Sequence, residues 1–478
     1  MKWSWPYIIL YIIIPMIVLG ILLWVYVFNG SDNGTHKKYQ VRLKLKNGKF
    51  KIDNLRRGIS IIGSAGSGKT ESVVYNLLHH FSEHNFCGII HDYKDFELTE
   101  IAWPLFKNGD VKFYTISFDR IYCRVNPIAP RYLPNEESVN EISKVLLENL
   151  LEKNLSDNTG SSKFFSDAVD GLLSGLIWKM KMTYPQYCTL PHIIAFYQTI
   201  PTKKLVAFLK SDFTAMAMAS AFLNGIESEK QTAGVKSTLA NAFKKISTKK
   251  LFYVLSKDEI PLDINNKKHK AIISTVNNPQ YESVYSPVIA TIMHTIIKQM
   301  SVRNRESSFI LMEEGPTIKL PNMHRIPATL RSYDIATIYV MQDKIQNDML
   351  YGDKASKAIL SNLSYQFFGK VNDPDTAKYY ERFFEIIKNP TRSVSKGTGL
   401  SWEARITKGE REVPKRRAEI FFKLKEGEFI VFADGKDKKV RFKLPLLKRG
   451  LPRQLNVAHI ELEANFTKIY QEVKSMFK

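Results

Sequence analysis

Cysteine is scarce in this chain. Cys87, Cys123 and Cys188 are the only three in 478 residues, and they lie far apart without metal-ligand spacing. That excludes a disulfide framework or a zinc site and fits a reducing compartment. Acid is also short: 47 Asp and Glu stand against 69 Lys and Arg, a formal charge of +22. Such an excess points to a polyanionic partner, nucleic acid or an anionic membrane surface, and does not choose between them. Disorder is not expected at 44% hydrophobic residues, and the length allows two or three domains with their own cores.

Charge of either sign is missing between Lys2 and Asp32. The apolar run Tyr7–Phe28 within it would reach about 33 Å as a helix, enough to cross the hydrocarbon core. Trp3, Trp5, Trp24 and Tyr26 lie towards its ends, where aromatic rings favour the interface, and Pro15 is a candidate kink. The run is too long for a signal peptide and no clear small-residue cleavage site follows, so a retained anchor is expected. Lys37, Lys38, Arg42, Lys44, Lys46, Lys49, Lys51, Arg56 and Arg57 then oppose the single acid Asp53. Positive charge stays inside, which puts the rest of the chain in the cytoplasm. The same cluster suits anionic headgroups. Its alternation, Val41–Lys46 and Lys49–Ile52, reads as a hairpin.

What is present is a phosphate loop. Gly63-Ser64-Ala65-Gly66-Ser67-Gly68-Lys69-Thr70 follows the apolar strand Ile59–Ile62 and precedes a helical run from Glu71. The spacing fits G-x-x-x-x-G-K-[ST]. Glycines let successive backbone N–H groups curl around phosphate oxygens, and the helix that follows adds its dipole. Lys69 is assigned to the β/γ-phosphates and Thr70 to Mg²⁺, and Glu71 is grouped with the cradle. ATP with Mg²⁺ is the expected cofactor pair.

Further strands are read at Cys87–Asp92, Val111–Ser117, Ala271–Val276, Ser308–Met312, Ile335–Met341 and Gln366–Lys370. Asp92 and Lys94 follow a buried strand at the sheet edge where ligands bind. Glu313 and Glu314 end another, the place for a Mg²⁺-shell acid and an acid that activates the attacking water. Gln342 ends the next and is placed to sense an intact triphosphate. Between about 135 and 250 apolar residues recur only at helical spacing, through Ser138–Leu151, Phe164–Met180 and Ala215–Phe243, which reads as an all-α insertion. Thr376–Ile387 reads as a helix, residues 388–415 as a flexible loop, and Glu419–Leu424 with Glu428–Ala433 as a hairpin around Lys425-Glu426-Gly427. The division expected is 1–30 anchor, 31–57 basic linker and hairpin, 58–134 and 251–445 nucleotide-binding domain, 135–250 insertion, and 446–478 basic tail, weakly helical.

The ordered set resembles the TraG/TraD-type coupling proteins of type IV secretion and conjugation. The P-loop is joined by His91-Asp92-Tyr93-Lys94-Asp95-Phe96-Glu97-Leu98, Val125-Asn126-Pro127, Ile310–Thr317, Ala328–Ser332, Met341-Gln342 and Asn362. The resemblance implies a RecA-like α/β ATPase in the bacterial inner membrane that passes single-stranded DNA bound to a relaxase into the secretion channel. It implies a ring of six with Arg331 as an arginine finger reaching the neighbour's γ-phosphate. Glu313 stands where the family has aspartate, an extra methylene that would slow hydrolysis. One span is visible where two are common, so the anchor is reduced or the start lies upstream. A nucleotide-dependent docking module for the relaxosome and an FtsK-like DNA pump are the alternatives; the pump should lack the helical insertion.

Overall fold

The computed structural model describes residues 13–29, 37–151, 160–396 and 404–476. The basic hairpin forms: Val41–Lys44 (β1) pairs antiparallel with Lys49–Ile52 (β2), turning Val41, Leu43 and Ile52 inward and Arg42, Lys44 and Lys49 outward. Seven strands then run parallel: Ile59–Ile62 (β3), Cys87–Asp92 (β4), Lys112–Ile116 (β5), Ala271–Val276 (β6), Ser308–Met312 (β7), Ile335–Met341 (β8) and Tyr365–Phe368 (β9). Ile386–Lys396 (β10) and Ala404–Pro414 (β11) form a ribbon of their own. Glu428–Ala433 (β12) and Lys436–Arg441 (β13) close one edge antiparallel. The nine-stranded order is β13-β12-β9-β3-β8-β7-β4-β6-β5.

The central strands are buried on both faces, as continuous apolar runs in a parallel sheet require. Alternate residues feed two cores. Ile90, Phe309 and Leu311 pack with Leu77 and Phe81 of helix Tyr75–Glu83 and with the β1–β2 hairpin. Ile89, Ile310 and Met312 pack with helix Glu282–Met300. Every helix between Glu136 and Leu255 falls between β5 and β6. Its first, Glu136–Leu150, starts on an Asn135/Ser138 capping box and lies against Glu282–Met300, which ties the insertion to the sheet.

Several readings are corrected. Within the periodic run Ala215–Phe243 the structure has three helices, Phe213–Met218, Ser220–Asn224 and Glu229–Ile246, and Ser228 starts the last by accepting from the Gln231 N–H. Residues 388–415 are not a loop where they are described but most of the β10–β11 ribbon. Helix Thr376–Ile387 is instead Pro374–Glu381, capped by Asp373, because Ile386 already belongs to β10. Glu419–Phe422 is a helical turn that buries Phe421 against Phe368 and Tyr380, so β12 pairs with β13 instead, through Asp434-Gly435. The tail crosses the molecule, with Gly450 N–H on Glu100 O (2.9 Å) and Leu455 N–H on Ile121 O (2.7 Å). It ends as helix His459–Ser475 on the insertion, where Phe466 packs on Phe252.

Helix Ile14–Asn29 occupies part of the expected membrane span, and Met16, Ile17, Val18 and Leu19 are exposed in succession. Among the described residues no helix is long and apolar enough to cross a membrane. The first residues of the expected span, 7–12, lie outside the described residues.

Candidate functional site

β3 lies between β8 and β9, and β7 lies one strand beyond, so the phosphate loop and the acidic strand end open on the same carboxyl edge. The loop is pinned from three sides. Gly63 N–H donates to Met341 O (3.2 Å), Ser64 N–H to Lys370 O (2.7 Å), and Gly427 N–H to Ser67 O (3.0 Å). Gly66 and Gly68 have φ of +72° and +80°, and a Cβ on Gly68 would stand 2.9 Å from Gly427 N. A side chain at either position therefore strains the cradle. Thr70–Val74 winds as a π-type first turn before helix Tyr75–Glu83.

Lys69 is buried and donates to Gly63 O (2.5 Å) and Ser64 O (3.3 Å). Burial pushes its ammonium below the ordinary range, with the carboxylates of Glu314 and Glu313 opposing. Buried Oγ atoms of Ser64, Ser67 and Ser72 have no partner among the described residues, nor do Glu313 Oε2 and Glu314 Oε2. Unpaired hydroxyls in a cationic loop and unpaired carboxylate oxygens on the same sheet edge fit a Mg²⁺-bound nucleotide. Thr70 begins the helix next to Lys69 and is half-buried. Ala65 is exposed at the tip, and Glu71 lies in the first helical turn.

The two acids stand in different surroundings. Glu314 Oε1 accepts from Gln342 Nε2 (3.0 Å) and lies 3.4 Å from Lys94 Nζ, and its backbone is left-handed at φ +44°. Lys94 Nζ also lies 3.6 Å from Glu313 Oε1. Burial weakens the Lys94 charge, but Glu313, Glu314 and Glu97 outweigh it and hold its pKa above the ordinary value. Burial pushes the Glu313 carboxyl up, and Asp92 adds to the rise. Asp92 is itself pushed up by burial against donors from Thr99 N (2.7 Å) and Oγ1 (2.6 Å). His91 Nδ1–H donates to Glu313 O (2.9 Å), locking β4 to the end of β7. After Lys94 the backbone is left-handed twice, at Asp95 (φ +44°) and at buried Phe96 (φ +75°). Such positions persist only where their surroundings enforce them.

Glu313, Glu314 and Gln342 are thus gathered on the carboxyl edge that carries the P-loop, and Lys94 joins them. Arg331 is not. It is exposed in the turn that precedes β8, at the amino edge, while Gln342 follows the last residue of that strand. Seven strand residues, about 23 Å, separate it from its own phosphate loop. The brace from Gly427 escaped the sequence reading, which saw only a hairpin turn there.

Two buried histidines should cost stability in acid. Burial lowers His80 and His91 from 6.5 to about 4, so both are neutral when folded at pH values where the unfolded chain binds protons. Their contribution is intact above about 6.5 and is lost as pH falls towards 4. The raised carboxyls of Glu313 and Asp92 act in the opposite sense over the same range, so the histidine contribution is read as a difference: the unfolding temperature of the unsubstituted chain should fall relative to that of His80→Gln between pH 7 and pH 5, and a difference that does not change with pH contradicts it.

A family model described as type IV secretory system conjugative DNA transfer matches residues 27–398. Among solved structures, the unbound bacterial conjugative coupling protein TrwBdeltaN70 is similar at 12% identity and a TM-score of 0.66, over 86% of this chain and 90% of that one. Plasmid coupling protein TrwB with the ATP analogue ADPNP is similar at 13% and 0.63, over 84% and 89%. VirB4 of Thermoanaerobacter pseudethanolicus is similar at 12% and 0.51, over 84% and 96%. No curated protein matches the chain significantly. At these identities the structural likenesses establish the fold.

Proposed function

This chain is a member of the type IV secretory system conjugative DNA transfer family, and from that membership we propose that it is an ATP-driven coupling motor of the bacterial inner membrane. In this reading helix Ile14–Asn29 belongs to a single-pass anchor and the catalytic part is cytoplasmic. The motor hands relaxase-bound single-stranded DNA to the channel subunits. TrwB has been solved with ADPNP and with ADP and Mg²⁺, and the cradle described above has the groups such ligands need.

The observation that carries the reading is the cluster of Lys94, Glu313, Glu314 and Gln342 on the edge where Lys69 stands. Lys69 takes the β/γ-phosphates in exchange for its backbone carbonyls. Thr70 and Glu313 would hold Mg²⁺, which supplies neutralisation of phosphate charge when bound. Glu314 accepts the proton of the attacking water, and Gln342, already bonded to it, orients that water. Lys94, which lies beside both acids, would also face the phosphate charge. Arg331 lies at the far edge, so a finger role requires a second copy, in accord with a ring of six. The positive surface of the chain suits phosphate backbones read without regard to base sequence.

The test is Mg²⁺-dependent ATP hydrolysis by the detergent-solubilised full chain, with and without single-stranded DNA. Stimulation by DNA that fades as salt rises is expected; turnover indifferent to DNA overturns the motor. A nucleotide-dependent docking module is the second reading, favoured by one observation: Lys94 neutralises both acids at once. Absence of any turnover, with nucleotide still bound, would select it.

A further inference from the structure

A groove of ≈ 730 Å³ lies away from the nucleotide site, between β1, helix Tyr75–Glu83 and the segment after β13. Arg42 and Lys44 project from β1, and Lys443 follows from the neighbouring segment, whose N–H is bonded to Lys44 O (3.3 Å). All three side chains are exposed, and among the described residues none has a carboxylate within ion-pair distance. Nearby, by contrast, Lys51 pairs with Asp53 and Arg57 with Asp434. Glu83, the acid of the groove wall, is engaged by His79 (3.3 Å). His80 belongs to the wall as well, with Nε2–H donating to Lys38 O (2.9 Å), and burial keeps it uncharged at neutral pH. Repulsion among three uncompensated cations is relieved by an anion seated between them.

The rim separates the possible anions. Leu444, Pro445 and Leu446 follow Lys443 directly, with Leu444 45% and Leu446 95% exposed. Nucleic acid and free phosphate give a protruding leucine nothing to bury. A phospholipid does, because its phosphate and its acyl chains lie next to each other in the same order as Lys443 and Leu446. Chain geometry places the groove at the right level: Lys37, another wall residue, is eight peptide links past the end of Ile14–Asn29, at most about 29 Å.

We propose that this groove seats the phosphate headgroup of an anionic phospholipid on Arg42, Lys44 and Lys443, with Leu444 and Leu446 entering the acyl boundary. The inference rests on the membrane-anchored reading given above. It adds a consequence for the motor: the groove wall is helix Tyr75–Glu83, the continuation of the turn that begins at Thr70, so lipid and nucleotide bear on one rigid element.

The test titrates the detergent-solubilised full chain with phosphatidylglycerol or phosphatidylcholine in mixed micelles and reads binding by a labelled lipid. Phosphatidylglycerol should bind and phosphatidylcholine should not. The combined variant Arg42→Gln, Lys44→Gln, Lys443→Gln should bind roughly a hundred-fold more weakly, about five-fold per cation, while ATP binding confirms that it has folded. Leu446→Asn should weaken the lipid with all three cations in place. Equal binding of both lipids, or an unchanged affinity in the combined variant, overturns the site. Displacement by millimolar inorganic phosphate or by single-stranded DNA, with Leu446→Asn without effect, overturns the lipid assignment. Cell fractionation separates the two readings. A chain that ignores headgroups yet stays with the membrane refutes the groove alone, and one that binds lipid in micelles yet stays soluble refutes the anchor alone.

Discussion

Lys69→Ala should abolish hydrolysis, a loss of about 10³-fold or more, and should do so without loosening the protein. The second half of that result identifies the role. Lys69 is a buried cation held only by the carbonyls of Gly63 and Ser64, and among the described residues no carboxylate lies within ion-pair distance of it. Burial without a counter-charge disfavours the ammonium. Its removal therefore relieves the nucleotide-free fold, and the unfolding temperature should hold or rise. What disappears is stabilisation by ligand: ATP at a hundred times its Kd adds about 2.7 kcal/mol to a competent site. Thermal unfolding with and without Mg²⁺·ATP reads both halves. A Lys69→Ala protein that unfolds earlier but still shifts with ATP would assign the lysine to structure.

Glu314→Gln should stop turnover while leaving nucleotide bound, with kcat falling by roughly 10² to 10⁴. The amide fills the same volume and keeps an oxygen for Gln342, which donates at 3.0 Å, but it cannot take a proton. The left-handed backbone at Glu314 is retained, because the turn is set by Gly315–Thr317 and Thr317 Oγ1, which donates to Glu314 O at 2.7 Å. Glu313→Gln should differ: it weakens Mg²⁺ binding, so more Mg²⁺ is needed for half-maximal turnover, and it frees Lys94 from one of its partners. Single-turnover hydrolysis and equilibrium binding of a fluorescent ATP analogue separate the two. Full turnover in Glu314→Gln would move the proton acceptor elsewhere, to Asp92 or Glu97 beside Lys94.

Much of this site can be read directly in the chain because its chemistry sits on short contiguous stretches. Gly63–Thr70, Glu313-Glu314 and Gln342 each follow an apolar run, and in a parallel sheet such runs end at one edge. The ion pairs of Lys94 are less visible. Its place after β4 marks it, and Glu97 is a local partner, but its other two partners follow β7, more than two hundred positions away. The Gly427 brace is invisible for the same reason, joining Ser67 to a turn near the far end of the sequence. The β10–β11 ribbon was missed on different grounds. It pairs backbone with backbone and, among the described residues, joins no other sheet, so the alternation that betrays a half-buried strand is not needed there. Glu419–Phe422 misled through Phe421 and Phe422, which suggest a strand, whereas only Phe421 is buried and one helical turn suffices.

The position of β3 has a consequence for how the protein is made. Its two neighbours in the sheet, β8 and β9, are encoded far downstream of it. A ribosome therefore releases the phosphate loop long before the strands that hold it flat exist. Pairing of such distant partners is slow and leaves edges exposed to other chains. The phosphate loop of the nascent polypeptide therefore lacks its flanking strands until Ile335–Met341 and Tyr365–Phe368 have emerged.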